Sequence, residues 1–323
     1  MPSFPDSRFN RRDSTPESRS NWQNRSSRWY PLGATRTSVT TSNRHPHTST
    51  RHSPLQPHPV VVFIEVTDPQ DPRLNAFRDV RIRDPRNGFI AEGSLVVRRL
   101  LQSEFSLRSL LLHRGQESKY AALIPDSTPA FVVDPQMGEQ IAGYDFHRGV
   151  LAHGEYPTML GCEELARRRP PTALALIGIS DPENVGSLLR SAAALGVHDI
   201  LIGPQTITPF ARRVIRVSMA SVFHHRFYQF DEPVKQITQL QTEGIQFAAT
   251  TLAKDAIAID TLGSELARHG TVLVVGNEAS GLDRAVQDAC SLRTTLPMHE
   301  STDSLNVGVA GAIFLYELSK QLR

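Results

Sequence analysis

The second half of the chain alternates short apolar runs with stretches that have the period of an α-helix. The runs ALALIGI, DILIG, QFAATTL and TVLVVGN each predict a buried strand. Helical periodicity follows at 185–195, 212–219, 234–241, after Leu282, and at 304–322. Strands that alternate with helices predict a mostly parallel sheet covered on both faces, so we expect residues 172–323 to form one α/β domain.

A smaller α/β unit is predicted over residues 59–157. The apolar run VVVFIEV predicts a strand, the stretch Leu95 to Leu101 predicts a helix, and LRSLLLH and AFVVD predict further strands. Residues 158–171 then form a predicted linker that contains a short helix, the arginines 167–169 and two prolines. The triple arginine is open to two interpretations, an RNA-facing patch or a solvated face.

Residues 1–58 are rich in Ser, Thr, Arg, Asn, Pro and His and lack apolar periodicity, which predicts a disordered tail. Nine arginines against three acidic residues would let this tail assist binding to phosphates. A dispensable extension, an overlong start of translation and a transit peptide are the alternatives. The many prolines oppose the amphipathic helix that a transit peptide requires.

Composition narrows the class of protein. With 39% hydrophobic and 21% charged residues among 323, the chain has the make-up of a soluble globular protein, and no apolar stretch approaches the roughly 20 residues that span a bilayer. Cys162 and Cys290 are the only cysteines, too few for a disulfide framework and without metal-ligand spacing. We therefore expect a cytoplasmic protein with neither membrane nor metal partner. A net charge of +2 means that a nucleic acid would have to meet local patches.

Three segments place polar residues where predicted strands meet helices, the usual location of a ligand crevice in an α/β domain. They are DPENVGSLLRSAAALGV from Asp181, VVGNEASGLD from Val274 and LPMHESTDSLNVGVAGAIFLYEL from Leu296. No GxGxxG fingerprint is present, and Leu282 and Asp283 stand where a phosphate loop needs Lys and Ser or Thr. A turn that carries carboxylates suits a ligand with a positive centre, and S-adenosylmethionine is our hypothesis.

Single residues in these segments have structural as well as functional interpretations. Asp181 is expected to cap a helix whose first turn contains Asn184. Arg190 lies in a helix of otherwise small and apolar residues, where it should bind an anion or form a structural ion pair. The small residues that follow Ser304 and Asn306 permit close packing of another backbone, from this chain or from a second subunit.

Taken together, the three segments resemble the signature motifs of the SpoU/TrmH family of RNA ribose 2'-O-methyltransferases, within the SPOUT class. The matching residues are Asn184, Gly186, Arg190 and Gly196 in the first motif, Gly276, Glu278, Gly281 and Leu282 in the second, and Leu296, Pro297, Met298, Ser304, Leu305, Asn306 and Val307 in the third. Arg216 and Ser218 match a further Arg-x-Ser element, and Thr250 and Thr251 match a Thr-rich strand end. Residues 59–157 are similar to the ribosomal-protein-like RNA-binding domain that precedes this core in many members.

The resemblance implies a C-terminal trefoil knot, an exception to the rule that chains avoid threading loops. It also implies S-adenosylmethionine as cofactor, ribosomal or transfer RNA as substrate, and a homodimer that completes the site. The implied catalytic residues are Arg190, Asn184, Glu278, Ser304 and Asn306. The implied cofactor-binding residues are Thr250, Gly276, Asn277, Leu296, Met298 and Leu305.

Transfer to a ribose 2'-hydroxyl requires alignment of the hydroxyl and removal of its proton. Because a guanidinium stays protonated, we expect Arg190 to act as an electrostatic clamp rather than as a base, although both roles stay open. Two alternatives are a catalytically inactive RNA-binding or assembly protein on the same fold, and a nucleotide-binding metabolic enzyme.

Overall fold

The computed structural model describes residues 61–78, 88–146, 148–168, 172–262, 270–299 and 304–320. The predicted tail at 1–58 lies outside these ranges. The described residues form two β-sheets, which belong to one compact unit of the chain.

Sheet A has five strands in the order β1-β4-β3-β5-β2. Their bounds are β1 Phe63–Glu65, β2 Phe89–Glu92, β3 Leu107–His113, β4 Ala130–Val133 and β5 Val150–Gly154. Strands β1, β4 and β3 run parallel, and β5 is antiparallel to β3 and β2. The sheet carries helices α1 (Ser94–Leu101) and α2 (Pro135–Ala142). Strand β4 is buried along its whole length, which explains why its sequence is apolar without alternation.

Sheet B has seven strands, and every neighbouring pair in it is parallel. Its order is β10-β12-β9-β11-β6-β7-β8. The bounds are β6 Thr172–Leu176, β7 Asp199–Ile202, β8 Arg226–Gln229, β9 Gln246–Thr250, β10 Ile257–Ala258, β11 Thr271–Val275 and β12 Leu292–Thr295. The predicted α/β class with a parallel sheet is confirmed.

Six further helices belong to the second half of the described chain. They are α3 Glu163–Ala166, α4 Pro182–Ala194, α5 Arg212–Val217, α6 Pro233–Thr242, α7 Arg284–Ala289 and α8 Val307–Ser319. None of the described helices is both long and apolar enough to cross a bilayer.

The predicted start of the last helix at Ser304 is wrong, since α8 begins at Val307. Asn306 caps it, because its side-chain Oδ1 accepts hydrogen bonds from the backbone N–H groups of Gly308 at 2.9 Å and Val309 at 3.3 Å. The cap fixes Ser304 and Asn306 in a loop ahead of the helix rather than on its surface.

Helices α4 and α8 pack against each other through small residues. A Cβ added to Gly311 would overlap the side chain of Leu188, and one added to Gly308 would lie 3.3 Å from Cβ of Ser187. The predicted packing role of these glycines is therefore met within the chain. It brings the loop before α8 close to the first turn of α4.

Aromatic and charged residues join sheet A to sheet B. Phe89 and Phe105 contact Phe210 with ring centroids 5.3 and 5.6 Å apart. Arg212, at the start of α5, donates to Glu92 of β2 at 2.6 Å. These contacts fix α5 against sheet A.

The predicted linker holds an exposed arginine, Arg168, that is bound to buried residues of sheet B. Arg168 donates to the hydroxyl of Tyr228 at 3.1 Å and lies 3.6 Å from Asp199, whose carboxylate also binds Arg226 at 2.7 Å. Its neighbour Arg167 is exposed and pairs with Glu164. The guanidinium of Arg168 is thus tied to sheet B, whereas residue 169 lies outside the described ranges.

Candidate functional site

A cavity of about 340 Å³ opens at the carboxyl ends of strands β9, β11 and β12, beside the start of α8. Polar ligands bind at this edge of an open parallel sheet because loops from several strands converge there. All six residues assigned to the cofactor from the sequence line the cavity: Thr250, Gly276, Asn277, Leu296, Met298 and Leu305. Glu278 and Ser304, two of the predicted catalytic residues, line it as well.

The cavity wall after β11 is a tight turn that Asn277 builds. The backbone groups of Asn277 and Gly281 exchange two hydrogen bonds of 3.1 and 3.0 Å. The side-chain Oδ1 of Asn277 accepts from the backbone N–H groups of Ala279 and Ser280 at 2.9 and 3.0 Å. Its Nδ2 donates to the carbonyl of Gly178, in the loop after β6, at 2.7 Å. These bonds occupy the side chain, so its contribution to the cavity is the shape of the turn.

Gly276 permits this turn to close. A Cβ at that position would lie 2.6 Å from the carbonyl carbon of Gly281 and 2.6 Å from the backbone nitrogen of Leu282. Backbone atoms cannot withdraw as a flexible side chain can, so residue 276 must be glycine for the wall to keep its form.

A chain of hydrogen bonds connects three of the predicted catalytic residues. Nδ2 of Asn306 donates to Oδ1 of Asn184 at 2.9 Å, and Nδ2 of Asn184 donates to Oε1 of Glu278 at 2.9 Å. Asn184 is buried in the first turn of α4, whereas the Glu278 carboxylate is exposed at the cavity. Asn184 therefore holds Oε1 of the carboxylate, and Asn306 holds Asn184 in turn. Nδ2 of Asn277 lies 3.4 Å from the other oxygen, Oε2.

Arg190 lies outside this chain of hydrogen bonds. It is exposed on α4, and no ion pair or hydrogen bond to its side chain occurs among the described residues. The premise that a small apolar helix would bury this guanidinium is wrong, because Glu183, Ser187 and Arg190 follow the spacing i, i+4, i+7 and form the exposed side of α4. Of the two interpretations offered, the structural ion pair is not found in the described part of the chain. Asp181, by contrast, caps α4 as predicted by accepting from the backbone N–H of residue 183 at 2.9 Å.

A buried histidine, His225, contacts the backbone of α4. Nε2 of His225 lies 2.9 Å from the backbone carbonyl oxygen of Leu189, next to Arg190 in the chain. Burial lowers the pKa of His225 to about 4, so the ring is neutral at pH 7. No local pattern distinguishes His225 from its exposed neighbour His224; only the packing of α4 does.

Thr250 and the inner face of α8 complete the cavity. The hydroxyl of Thr250 donates to the carbonyl of Val274 at 3.0 Å and keeps acceptor capacity toward the cavity. Ala310, Gly311 and Phe314 of α8 also line it; the sequence predicted only a packing role for the two small residues and no role for Phe314. Within the described ranges, no group of three or more His, Cys, Asp or Glu is placed to hold a metal ion.

Glu278 is the one ionisable side chain among the described residues that line the cavity. A site without lysine or arginine is poorly suited to a triphosphate or a dinucleotide, and an acidic group at its wall favours a ligand with a positive centre. The volume falls at the lower end of the range of about 300–1,000 Å³ that is usual for small-molecule sites. Fold and site together define an α/β protein that binds a compact cationic or zwitterionic ligand.

Comparison with known proteins gives the family. The chain belongs to the SpoU rRNA methylase family, whose profile matches residues 171–316. It is 32% identical over 268 residues to an uncharacterized tRNA/rRNA methyltransferase, Rv0881, of Mycobacterium tuberculosis, with 79% of this chain and 91% of that protein covered. It is 26% identical over 236 residues to the 23S rRNA (guanosine(2553)-2'-O)-methyltransferase RlmP of Bacillus subtilis, with 73% and 90% covered.

Solved structures agree with this assignment. An AdoMet-bound rRNA methyltransferase from Sinorhizobium meliloti superimposes with a TM-score of 0.70 at 26% identity, over 81% of this chain and 99% of that one. Because this match covers 81% of this chain, more than residues 172–323 alone could supply, both sheets take part in the likeness. The family predicted from the three motifs is confirmed.

Proposed function

We propose that this chain is an RNA methyltransferase that transfers the methyl group of S-adenosylmethionine to a ribose 2'-hydroxyl of ribosomal or transfer RNA. The observation that carries the proposal is the cavity, whose described lining contains a single ionisable group, the carboxylate of Glu278, to which Asn184 donates a hydrogen bond. A sulfonium-bearing ligand suits such a cavity, whereas a nucleotide triphosphate does not. The relatives named as 23S rRNA methyltransferases support ribosomal RNA as the first substrate to test.

The residues present fit the cofactor. S-adenosylmethionine supplies an electrophilic methyl group when it is bound. Gly276, Leu296 and Leu305 would offer backbone groups, Thr250 a hydroxyl and Met298 an apolar contact at the cavity wall. Asn277 would act on the cofactor indirectly, by holding the turn that forms the wall.

The hydrogen-bonded residues would orient the ribose. The Glu278 carboxylate keeps acceptor capacity at the cavity, while Asn184, itself bound by Asn306, holds its Oε1. Ser304, exposed in the loop before α8, would contact the sugar. Arg190 would stabilise the negative charge that develops on the 2'-oxygen, or orient a phosphate of the RNA, since a guanidinium does not lose its proton.

We infer a homodimer from one feature of α8. Val309, Ile313 and Tyr316 form an exposed apolar stripe at spacing i, i+4, i+7, with 50%, 39% and 49% of their surfaces accessible. A second copy that covers this stripe would lie beside the loop of Ser304 and Leu305, where the cavity opens. Light scattering should give twice the mass of one chain, and Ile313→Glu should give the single-chain mass.

Three further parts of the sequence interpretation stay predictions. These are the division into domains at 59–157 and 172–323, the trefoil knot of the C-terminal segment, and the cytoplasmic location. Refolding kinetics would test the knot. A threaded C-terminal segment should make refolding slow relative to an unknotted sheet of the same size.

The test of the function is transfer of labelled methyl from S-adenosylmethionine to total RNA from a strain that lacks the protein. Label should appear in the ribosomal or transfer fraction and be recovered as a 2'-O-methylated nucleoside. Arg190→Ala should abolish transfer with little effect on RNA binding, and Lys235→Ala, a change at an exposed lysine of α6, should leave transfer unaffected. RNA binding without any transfer by the natural chain would favour the inactive assembly protein.

A further inference from the structure

Helix α5 presents three arginines on its outer side, and two of them already have partners. Arg212 donates to Glu92 of sheet A at 2.6 Å and lies over the ring of Tyr144 at 4.1 Å. Arg213 pairs with Glu183 at the start of α4. Arg216 comes one turn later, at i+4 from Arg212 and i+3 from Arg213, so it lies between the side that faces sheet A and the side that faces α4.

Arg216 is exposed, and its side chain makes no ion pair or hydrogen bond within the ranges that the structure describes. Helix α5 itself is firmly held at both ends. Arg212 fixes its start to β2, and Arg99 of α1 donates to the carbonyl of Met219 just beyond its end. A guanidinium on such a fixed support is pre-organised for a ligand that approaches along the boundary of the two sheets.

Helices α4 and α5 run side by side in the same direction, which relates Arg216 to Arg190. Glu183 contacts the first turn of α5, and a Cβ added to Gly186 would lie 2.6 Å from Cβ of Val217 in its last turn. Val217 is thus level with Gly186, and Arg216, one residue earlier, is level with about residue 185 of α4. Arg190 follows about five residues further along α4, roughly 7.5 Å on a rise of about 1.5 Å per residue.

The charge along this line is positive. Glu183 is the acidic residue at its start, and Arg213 offsets it. Arg216 and then Arg190 continue the line as guanidiniums without a carboxylate partner among the described residues. Successive unpaired guanidiniums on a solvated surface suit a polyanion, because each can bind one phosphate in a bidentate manner.

We propose that Arg216 binds a backbone phosphate of the substrate RNA and guides the strand from sheet A along α5 to Arg190. The inference rests on the proposed function and adds to it a specific phosphate contact at the junction of the two sheets. Its recognition element is the sugar-phosphate backbone of RNA rather than any base, so it affects affinity for all substrate sequences equally.

The expected effect follows from counterion release. The plot of log affinity against log salt has a negative slope. One lost phosphate contact should make that slope shallower by about 0.7 on a single strand and by about 0.9 on a duplex. At 0.15 M salt this corresponds to roughly fivefold weaker binding, the value of 0.15 raised to a power of about −0.8. Arg216→Glu should weaken binding further, and Arg216→Lys should retain most of the salt dependence because it keeps the charge.

The experiment uses the full chain, filter binding of ribosomal RNA between 50 and 300 mM KCl, and calorimetric titration with S-adenosylmethionine. Arg216→Ala should raise the RNA dissociation constant about fivefold and reduce the salt slope, leaving cofactor affinity and the maximal rate at saturating RNA unchanged. The control is Lys235→Ala, which removes one exposed positive charge from α6 and should change neither the RNA dissociation constant nor the salt slope.

Two results would overturn the proposal: an unchanged salt slope in Arg216→Ala, or an equal loss of RNA affinity in Lys235→Ala, which would indicate non-specific attraction. If Arg216→Ala has a melting temperature different from that of the natural chain, Arg216→Gln takes its place in the same measurements. RNA binding and methyl transfer by the natural chain separate a failure of the proposed function from a failure of the Arg216 contact alone. If it transfers methyl to RNA and Arg216→Ala binds RNA as it does, only the phosphate contact is refuted; if it neither binds nor methylates RNA, both are.

Discussion

Replacement of Asn184 by Asp tests whether the hydrogen-bonded chain at the cavity is arranged as described. Asn184 donates to Oε1 of Glu278 at 2.9 Å and accepts from Asn306 at 2.9 Å. Asn184→Asp keeps the acceptor for Asn306 but turns the donor into a carboxylate oxygen that faces another carboxylate. The variant should therefore bring two like charges within hydrogen-bond distance, with almost no change in side-chain volume.

The magnitude follows from that distance. Two unit charges 2.9 Å apart repel by about 1.4 kcal/mol in bulk water and by about 6 kcal/mol at an effective dielectric constant of 20. Glu278 is exposed and can turn toward solvent, which places the repulsion near the lower figure. The lost hydrogen bond to a charged group adds about 1.5 kcal/mol, so we expect the free energy of unfolding to fall by about 3 kcal/mol at pH 8.

The sign of the pH dependence is specific to this change. Repulsion raises the folded-state pKa of the introduced carboxyl above its unfolded value near 3.9, so the penalty is present above the raised pKa and disappears as the pH falls through it. One proton shared between the two carboxyls restores a hydrogen bond. The difference from the natural chain should therefore shrink between pH 8 and pH 5, whereas the loss in Asn184→Ala should be the same at both.

Urea unfolding followed by circular dichroism at pH 8 and pH 5 measures these differences. Combining Asn184→Asp with Glu278→Gln reverses the donor and acceptor and should recover most of the lost stability at pH 8. A destabilisation by Asn184→Asp that does not vary with pH, or a double variant no more stable than the single one, would refute the arrangement.

Three other predictions concern the turn, the helix contact and the buried histidine. Gly276→Ala should abolish binding of S-adenosylmethionine in calorimetry because its Cβ would meet backbone at 2.6 Å, whereas Ser280→Ala should bind as the natural chain does. Gly186→Ala should lower the free energy of urea unfolding by about 1–3 kcal/mol through overpacking between α4 and α5, and Ser187→Ala on the exposed side should change it little. The pKa of His225 is lowered to about 4, so below about pH 6.5 the unfolded chain binds a proton that the folded chain does not. This group alone should lower the free energy of unfolding by about 2 kcal/mol between pH 7 and pH 5. His225→Gln should flatten that part of the pH profile, and an unchanged profile would contradict the assignment.

Some of the structure follows directly from local sequence. The runs ALALIGI and TVLVVGN correctly predicted strands β6 and β11, and the Asp and Pro at 181–182 correctly predicted the start of α4. Local sequence was sufficient because the apolar run of a strand and the cap of a helix each lie within a few neighbouring residues. Asn306 shows where local reasoning fell short. It carries an N-cap signal, yet the periodic pattern around it was extended back to Ser304, and the true helix begins one residue after the cap.

The cavity lining was also predictable, but only through the resemblance of three motifs to a family. No spacing rule relates Thr250 to Leu296, since they meet because β9 and β12 are neighbours in a sheet whose strand order does not follow the chain. Asn277, predicted to bind the cofactor, lines the cavity. The structure adds what the sequence did not indicate, that its side chain holds the turn against Gly178.

Sequence by itself thus determined the α/β class, the family and the residues that carry polar chemistry. Tertiary structure alone decided that Asn184 binds Glu278 across 94 residues of chain and Asn306 across 122, and that Arg190 and Arg216 are exposed. The physical reason is that propensity and capping act over one or two turns, whereas hydrogen bonds between distant loops and the exposed side of a helix depend on which elements pack together.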